Sequence, residues 1–192
     1  MTVSILSLNI NIKKKLFNLI ICKIYFFHID IMDFTYVENN SFSINNVKKI
    51  FFFLKKIKKI FIEFHIMSKL SKNIINKIQK KNIFVHLENF FFFKRYNYSI
   101  SPNFCYKYIK QYNFNYNLIM SVNPGFGNQF FIKNIKKKKI NKYNIDGGIN
   151  FYYFKKINNY FNKIIIGSNI ISKKNINSYF NFLFIYNEFI VL

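Results

Sequence analysis

Eight apolar runs of strand length recur along this chain, at 3–6, 25–31, 61–66, 83–87, 96–100, 118–122, 143–146 and 163–166. Between most of them lie segments that read as amphipathic helices, as at 46–59, 71–80, 102–113 and 150–162. Parallel strands need long crossovers, usually helices, so eight strands alternating with helices predict a closed parallel barrel of the α/β class. Single boundaries are soft, because mixtures of Ile, Phe and Lys fit a helical or a strand period equally well. Order and spacing carry the reading. The unit from His86 to Pro102 is short: a whole crossover takes at least about ten residues, so a truncated turn is expected around 89–95. Its run Phe90–Phe93 reads first as core packing, with cover for the barrel flank or a partner subunit as the alternative. The expectation is one (β/α)8 domain over residues 1–192 with shortened middle helices.

The chain has only 5 glycines, against 27 Phe and 14 Tyr, and no Trp. All five sit in three turns, each after an apolar run: Gly125 and Gly127 in Asn123-Pro-Gly-Phe-Gly-Asn128, Gly147 and Gly148 in Ile145-Asp-Gly-Gly-Ile149, and Gly167 before Ser168. The alphabet is narrowed toward residues with A- and T-rich codons. Where glycine survives such drift, the backbone is expected to need positive φ or a close approach to a ligand. Three such turns suggest amides gathered around one small anion. The net charge of +23 would ordinarily point to nucleic acid or an anionic membrane. Here, however, all but one of the 30 basic residues are lysine, Arg95 being the exception. Guanidinium forks for bases and phosphates are therefore missing. The charge reads as surface lysine that can draw in a phosphorylated substrate, with no nucleic-acid partner.

Cys22 and Cys105 form no disulfide framework and match no metal spacing, which favours a reducing compartment. The N-terminus lacks a basic region followed by an apolar stretch, and the early apolar run 16–27 is broken by Asn18 and Lys23 and too short to span a bilayer. A cytoplasmic protein without a membrane partner is expected.

The chemistry concentrates at strand ends. In His28-Ile-Asp30-Ile-Met32 the two-residue period puts His28, Asp30 and Met32 on one face. Glu63, His65 and Met67 share a face in the third strand, and His86 and Glu88 in the fourth. The C-terminal ends of barrel strands are where such folds do their chemistry. Asp146 closes the seventh strand beside Gly147. Two imidazoles and two carboxylates, from His28, His65, Asp30 and Asp146, make a ligand set for one divalent cation, with zinc, iron, cobalt and manganese all acceptable.

These segments resemble the ribulose-phosphate 3-epimerase family. Ser4-Ile-Leu-Ser7 is similar to its first-strand motif, His28-Ile-Asp-Ile-Met-Asp33 to its metal and acid/base strand, and His65-Ile-Met67 to its second histidine. Phe84-Val-His-Leu-Glu88 resembles its fourth strand, Met120-Ser-Val-Asn-Pro-Gly-Phe-Gly-Asn-Gln129 its most diagnostic segment, and Ile145-Asp-Gly-Gly-Ile149 and Gly167-Ser168 its last two turns. The resemblance implies a TIM barrel of the ribulose-phosphate-binding type, an isomerase interconverting D-ribulose 5-phosphate and D-xylulose 5-phosphate. It implies Asp30 and Asp146 as the two acid/bases, His28, Asp30, His65 and Asp146 around the metal, Ser4 and His65 on the substrate, and Met32 and Met67 capping the intermediate. The phosphate would meet the backbone at Gly125, Phe126, Gly127, Asn128, Gly147, Gly148, Gly167 and Ser168. Family members are commonly oligomeric, so a homo-oligomer is a further expectation.

Three segments depart from the pattern. After Asp33 the family continues Gly-His-Phe-Val-Pro-Asn, where this chain has Phe34-Thr-Tyr-Val-Glu-Asn39. Asn128 replaces a glycine, and the fifth-strand segment Ile100-Ser-Pro-Asn103 is altered. The competing readings are an epimerase of another ketose phosphate, such as allulose 6-phosphate, and a basic binding protein on a barrel that has lost catalysis.

Overall fold

The structure, a computed structural model, describes residues 1–8, 11–78, 82–89, 96–104, 117–133 and 140–171. Eight parallel strands close into a barrel in chain order: β1 (Thr2–Ser4), β2 (Phe26–Met32), β3 (Phe61–Met67), β4 (Ile83–His86), β5 (Asn97–Ile100), β6 (Asn117–Met120), β7 (Ile140–Asp146) and β8 (Phe161–Ile166), with β1 paired to β8. Five described helices lie between and after them: α1 (Ile12–Ile21), α2 (Ile44–Lys55), α3 (Ser71–Ile78), α4 (Phe151–Ile157) and α5 (Ser168–Ile171). This is the (β/α)8 TIM barrel that the alternation predicts. The expected turn at 89–95, the run Phe90–Phe93, Cys105 and most of the helix expected at 102–113 lie outside the described residues.

Strand alternation sorts the apolar side chains into two cores. Phe27, Ile29 and Ile31 of β2 and Phe64 and Ile66 of β3 point outward and pack with Leu16 and Leu19 of α1, Val47, Ile50 and Leu54 of α2, and Ile74 and Ile75 of α3. Each such side chain, fully withdrawn from water, contributes about 1.5–3 kcal/mol. The inner faces supply a smaller cluster of Phe84, Leu118, Met120, Val122 and Ile165. Four of these, Phe84 on β4, Leu118 and Met120 on β6 and Ile165 on β8, come from alternate strands, as barrel layers do. What the inner apolar cluster leaves open is the place where His28 and the carboxylates stand.

The apolar run expected at 16–27 divides in two. Its first part is helix α1, which the strand-and-helix reading of the sequence does not separate, and its last part enters β2. The break is a Schellman turn: Ile24 N–H donates to Leu19 O at 3.1 Å and Lys23 N–H to Ile20 O at 2.9 Å, with Lys23 at φ 60°. Glycine is the usual occupant of that position, and lysine holds it here. Phe34, at φ 62°, and Asn128, at φ 61°, stand in the same left-handed region. Both are positions where the resemblance expects glycine, so the backbone geometry has outlived the residue that suits it. Elsewhere local chemistry is orthodox: Ser43 Oγ accepts from Asn46 N–H at 3.3 Å at the start of α2, and Asn150 Oδ1 from Tyr153 N–H at 3.0 Å at the start of α4. Among the described residues no helix is long and apolar enough to cross a membrane.

Candidate active site

The polar residues of the inner face meet at the C-terminal mouth. One ligand atom from each of His28, Asp30, His65 and Asp146 lies within 4.8 Å of the others. His28 and His65 are fully buried, and Asp30 and Asp146 line a cavity of about 270 Å³. Asp30 arrives on β2 and Asp146 on β7, with β1 and β8 between them around the barrel.

Each member is held by named partners. Ser4 Oγ donates to Asp30 Oδ2 at 2.7 Å, while Asp30 Oδ1 faces His65 Nδ1 at 3.1 Å and His28 Nε2 at 3.3 Å. Asp146 Oδ2 is 3.8 Å from His28 Nε2. Behind His28, Glu63 Oε1 lies 2.8 Å from Nδ1, and Glu63 Oε2 reaches Lys163 Nζ at 3.4 Å. The backbone is pinned as well. Ser41 Oγ donates to the carbonyl of Asp30 at 2.8 Å and accepts from Met32 N–H at 2.9 Å. Ser121 Oγ sits 2.8 Å from the carbonyl of Asp146 and 2.6 Å from that of Gly147, donating between them.

Glu63 decides what His28 can do. A carboxylate only accepts, so it fixes the hydrogen on Nδ1 and leaves Nε2 directed into the cluster. Nε2 is one of the few buried side-chain atoms among the described residues with no hydrogen-bond partner; its 3.3 Å approach to Asp30 is an ion-pair contact without hydrogen-bond direction. An orphaned imidazole nitrogen beside two carboxylates fits a divalent cation. The proton affinities agree. Burial disfavours charge on His28, yet Asp30 and Glu63 raise its pKa well above the ordinary imidazole range. A cation would take the place of that proton. His65 is lowered to about 4, with burial the largest cause.

The two aspartates are pushed apart. Burial favours the neutral acid in both, but His28 and then His65 hold Asp30 far below the usual carboxylate range. Asp146 is pushed up to about 7 by burial, which outweighs attraction to His28 and is reinforced by the charges of Asp30 and Glu63. One carboxylate is therefore ionised throughout the neutral range while the other is close to sharing its proton evenly with solvent. Unlike environments of this kind separate an acid from a base.

The three glycine turns border the same cavity. Gly125, Phe126, Gly127 and Asn128 approach from the β6 loop, Gly147 and Gly148 from β7, and Gly167 and Ser168 from β8. Gly147, at φ 111°, and Gly148, at φ 60°, have no room for a side chain: a Cβ on the first would stand 2.4 Å from Val122 Cγ2, and on the second 2.6 Å from Phe131 N. Gly127 and Gly167 do not adopt positive φ, contrary to the simplest reason for their survival. Gly167 instead packs against Ser4, whose Cβ would lie 3.3 Å from an added one.

The altered loop after β2 still reaches the cradle. Asn39 Nδ2 donates to Gly125 O at 2.6 Å, and Val37 packs on Gly125. Met67 lines the cavity, whereas Met32 packs with Met67 and Val37 and is not among the cavity-lining residues. Ser4 lines the cavity and also braces Asp30. The partnership of Glu63 with His28 is not read from either strand alone. It follows from the β2–β3 register, which sets His28 opposite Glu63 on the inner face.

A model of the ribulose-phosphate 3 epimerase family matches residues 1–103, more than half of the chain. The match takes in Ser4, His28, Asp30, Glu63, His65 and His86. Asp146 and the glycine turns lie beyond it, and barrel closure brings them to the same mouth. No curated protein sequence matches the chain significantly.

Proposed function

The chain belongs to the ribulose-phosphate 3-epimerase family, and from that premise we propose that it interconverts D-ribulose 5-phosphate and D-xylulose 5-phosphate, with Asp30 and Asp146 as the acid/bases on the two faces of C3. The observation that carries this reading is the pair of aspartates, one on β2 and one on β7, opening onto one cavity. The C3 hydrogen lies next to the C2 ketone, so its removal leaves an enediolate. Asp30, ionised, accepts that proton on one face of C3. Asp146 returns its own proton to the opposite face, and the configuration is inverted. The turnover leaves Asp30 protonated and Asp146 ionised, which is the starting state for the reverse reaction; exchange with water resets the pair.

Ser4, donating to Asp30 Oδ2, leaves Oδ1 as the oxygen facing the histidines. A divalent cation held by His28, His65, Asp30 and Asp146, of zinc, iron, cobalt or manganese type, would supply positive charge where the enediolate oxygen develops. Backbone around Gly125–Asn128, Gly147–Gly148 and Gly167–Ser168 would receive the phosphate; its tight turns leave room for the ligand to approach the main chain. The surface lysines raise the local concentration of the phosphorylated ketose without fixing its identity.

Purified protein is expected to convert D-ribulose 5-phosphate at least about tenfold faster, as kcat/KM, than D-allulose 6-phosphate, a margin of about 1.4 kcal/mol in transition-state binding. A preference for the hexulose phosphate would move the substrate assignment while leaving the epimerase chemistry in place.

A further inference from the structure

The loop that follows β2 crosses the barrel mouth and is fastened to the segments after β3, β5 and β6. Its ends are closed on each other, because Asp33 and Asn40 pair as an antiparallel bridge and Phe34 N–H donates to Asn39 O at 3.2 Å. On the β3 side Ser68 Oγ donates to Asp33 Oδ2 at 2.7 Å, and Lys69 N–H donates to Thr35 Oγ1 at 2.9 Å. On the β6 side buried Val37 lies so close that a Cβ on Gly125 would stand 3.1 Å from it, and Asn39 Nδ2 donates to Gly125 O at 2.6 Å.

Between these attachments stands the Tyr36 hydroxyl. Its oxygen lies 3.2 Å from Ser101 Oγ, just beyond β5, and 3.2 Å from Nδ1 of His86, the last residue of β4. A phenol both gives and takes a hydrogen, so this pair of contacts is satisfied whichever nitrogen of His86 carries its proton. The Tyr36 and His86 rings are 4.8 Å apart, and His86 in turn stacks on His65 at 5.0 Å, with their Nε2 atoms 3.0 Å apart. In the family pattern Gly-His-Phe-Val-Pro-Asn the third place is Phe and the fifth is Pro, where this chain has Tyr36 and Glu38. The loop thus gains a hydrogen-bonding group where it lacks a ring that restricts the backbone. Phe34, at φ 62°, adds a conformational cost that tertiary contacts must offset.

We propose that Tyr36 is a positioning residue for phosphate binding: its hydroxyl, tied to Ser101 and His86, holds the loop so that Asn39 and Val37 set the Gly125 backbone at the start of the cradle. This rests on the reading of the glycine turns as the phosphate site. Gly125, at φ 122°, has no side chain by which it could be fixed, and Asn39 fixes its carbonyl instead. Removing the hydroxyl alone frees the loop tip and leaves the Tyr36 ring packed with Met32, Val37 and Met67.

The test is a double-mutant cycle, read by calorimetry with inorganic phosphate and by steady-state kinetics with D-ribulose 5-phosphate. Tyr36→Phe is expected to weaken phosphate binding about 3–10-fold, the range of one neutral hydrogen bond, and to raise KM by a similar factor while kcat changes less than about twofold. Asn39→Ala is expected to weaken phosphate binding at least as much. Adding Tyr36→Phe to Asn39→Ala should then change little further, because both act through the same carbonyl. Cobalt(II) affinity of Tyr36→Phe should stay within about twofold of the wild type, an outcome that separates loop positioning from a disturbance passed through His86 to His65. Unchanged phosphate affinity in Tyr36→Phe, fully additive losses in the double variant, or a loss confined to kcat would overturn the positioning role. A wild-type chain that binds no phosphate would overturn the cradle itself, so the two failures are distinct.

Discussion

Asp30→Asn and Asp146→Asn are each expected to lower kcat by about 10²–10⁴-fold, the contribution typical of a positioned acid or base. Asparagine keeps the shape of the side chain and removes its capacity to take or give the C3 proton. The two variants differ in stability, which separates a catalytic effect from a folding one. Asp146 in the folded chain holds its proton up to about pH 7, whereas an unfolded aspartate releases it near about 3.9. Ionising it therefore costs stability as pH rises through that window. Asp146→Asn abolishes the cost, so its melting temperature above pH 7, measured after chelation, should equal or exceed that of the wild type. Asp30 has the opposite sign. Its depressed pKa contributes stability above the unfolded value, lost as pH falls through the folded one, and Asp30→Asn should melt lower at neutral pH. Near-normal turnover in either variant would remove that residue from the proton path.

Exhaustive chelation is expected to lower kcat/KM by about 10²–10⁴-fold, corresponding to the several kcal/mol that a bound cation contributes at a developing oxyanion. Adding back zinc, iron, cobalt or manganese should restore it. The basis is local. His28 Nε2 is buried without a hydrogen-bond partner, Glu63 holds Nδ1, and Asp30 and Asp146 stand 3.3 and 3.8 Å from Nε2. In a chain of net charge +23, three carboxylates around one imidazole form a local negative site. Full activity in protein proven free of metal would show that the His28 proton alone balances those charges.

Much of this was legible in the sequence because the strand period is short and strict. His28, Asp30, Glu63 and His65 alternate with Ile29, Phe64 and Ile66, which assigns inner and outer faces without any tertiary information. Pairings between strands were not legible, since they depend on register. The contact of Glu63 with His28 and that of Ser4 with Asp30 are of this kind, as is the approach of His86 to His65. Helix α1 was obscured because Ile, Leu, Lys and Asn in 12–21 satisfy several periods, and its end is marked by Lys23 in a conformation that glycine usually announces. The same substitution limits the glycine argument. Gly125, Gly147 and Gly148 do take positive φ, but so do Asn11, Lys23, Phe34, Lys59 and Asn128. Surviving glycines therefore mark the cavity wall better than they mark every left-handed turn. At Gly147 and Gly148 a side chain would strike Val122 or the Phe131 backbone, whereas at Phe34 the side chain is exposed and meets only a conformational cost.

The most direct measurement is exchange of solvent deuterium into D-ribulose 5-phosphate in heavy water, followed by NMR at C3. Proton transfer through Asp30 and Asp146 predicts protein-dependent loss of the C3 hydrogen signal, accompanied by D-xylulose 5-phosphate deuterated at C3. Formation of the epimer with the original hydrogen retained at C3, or no reaction at that carbon, would contradict it.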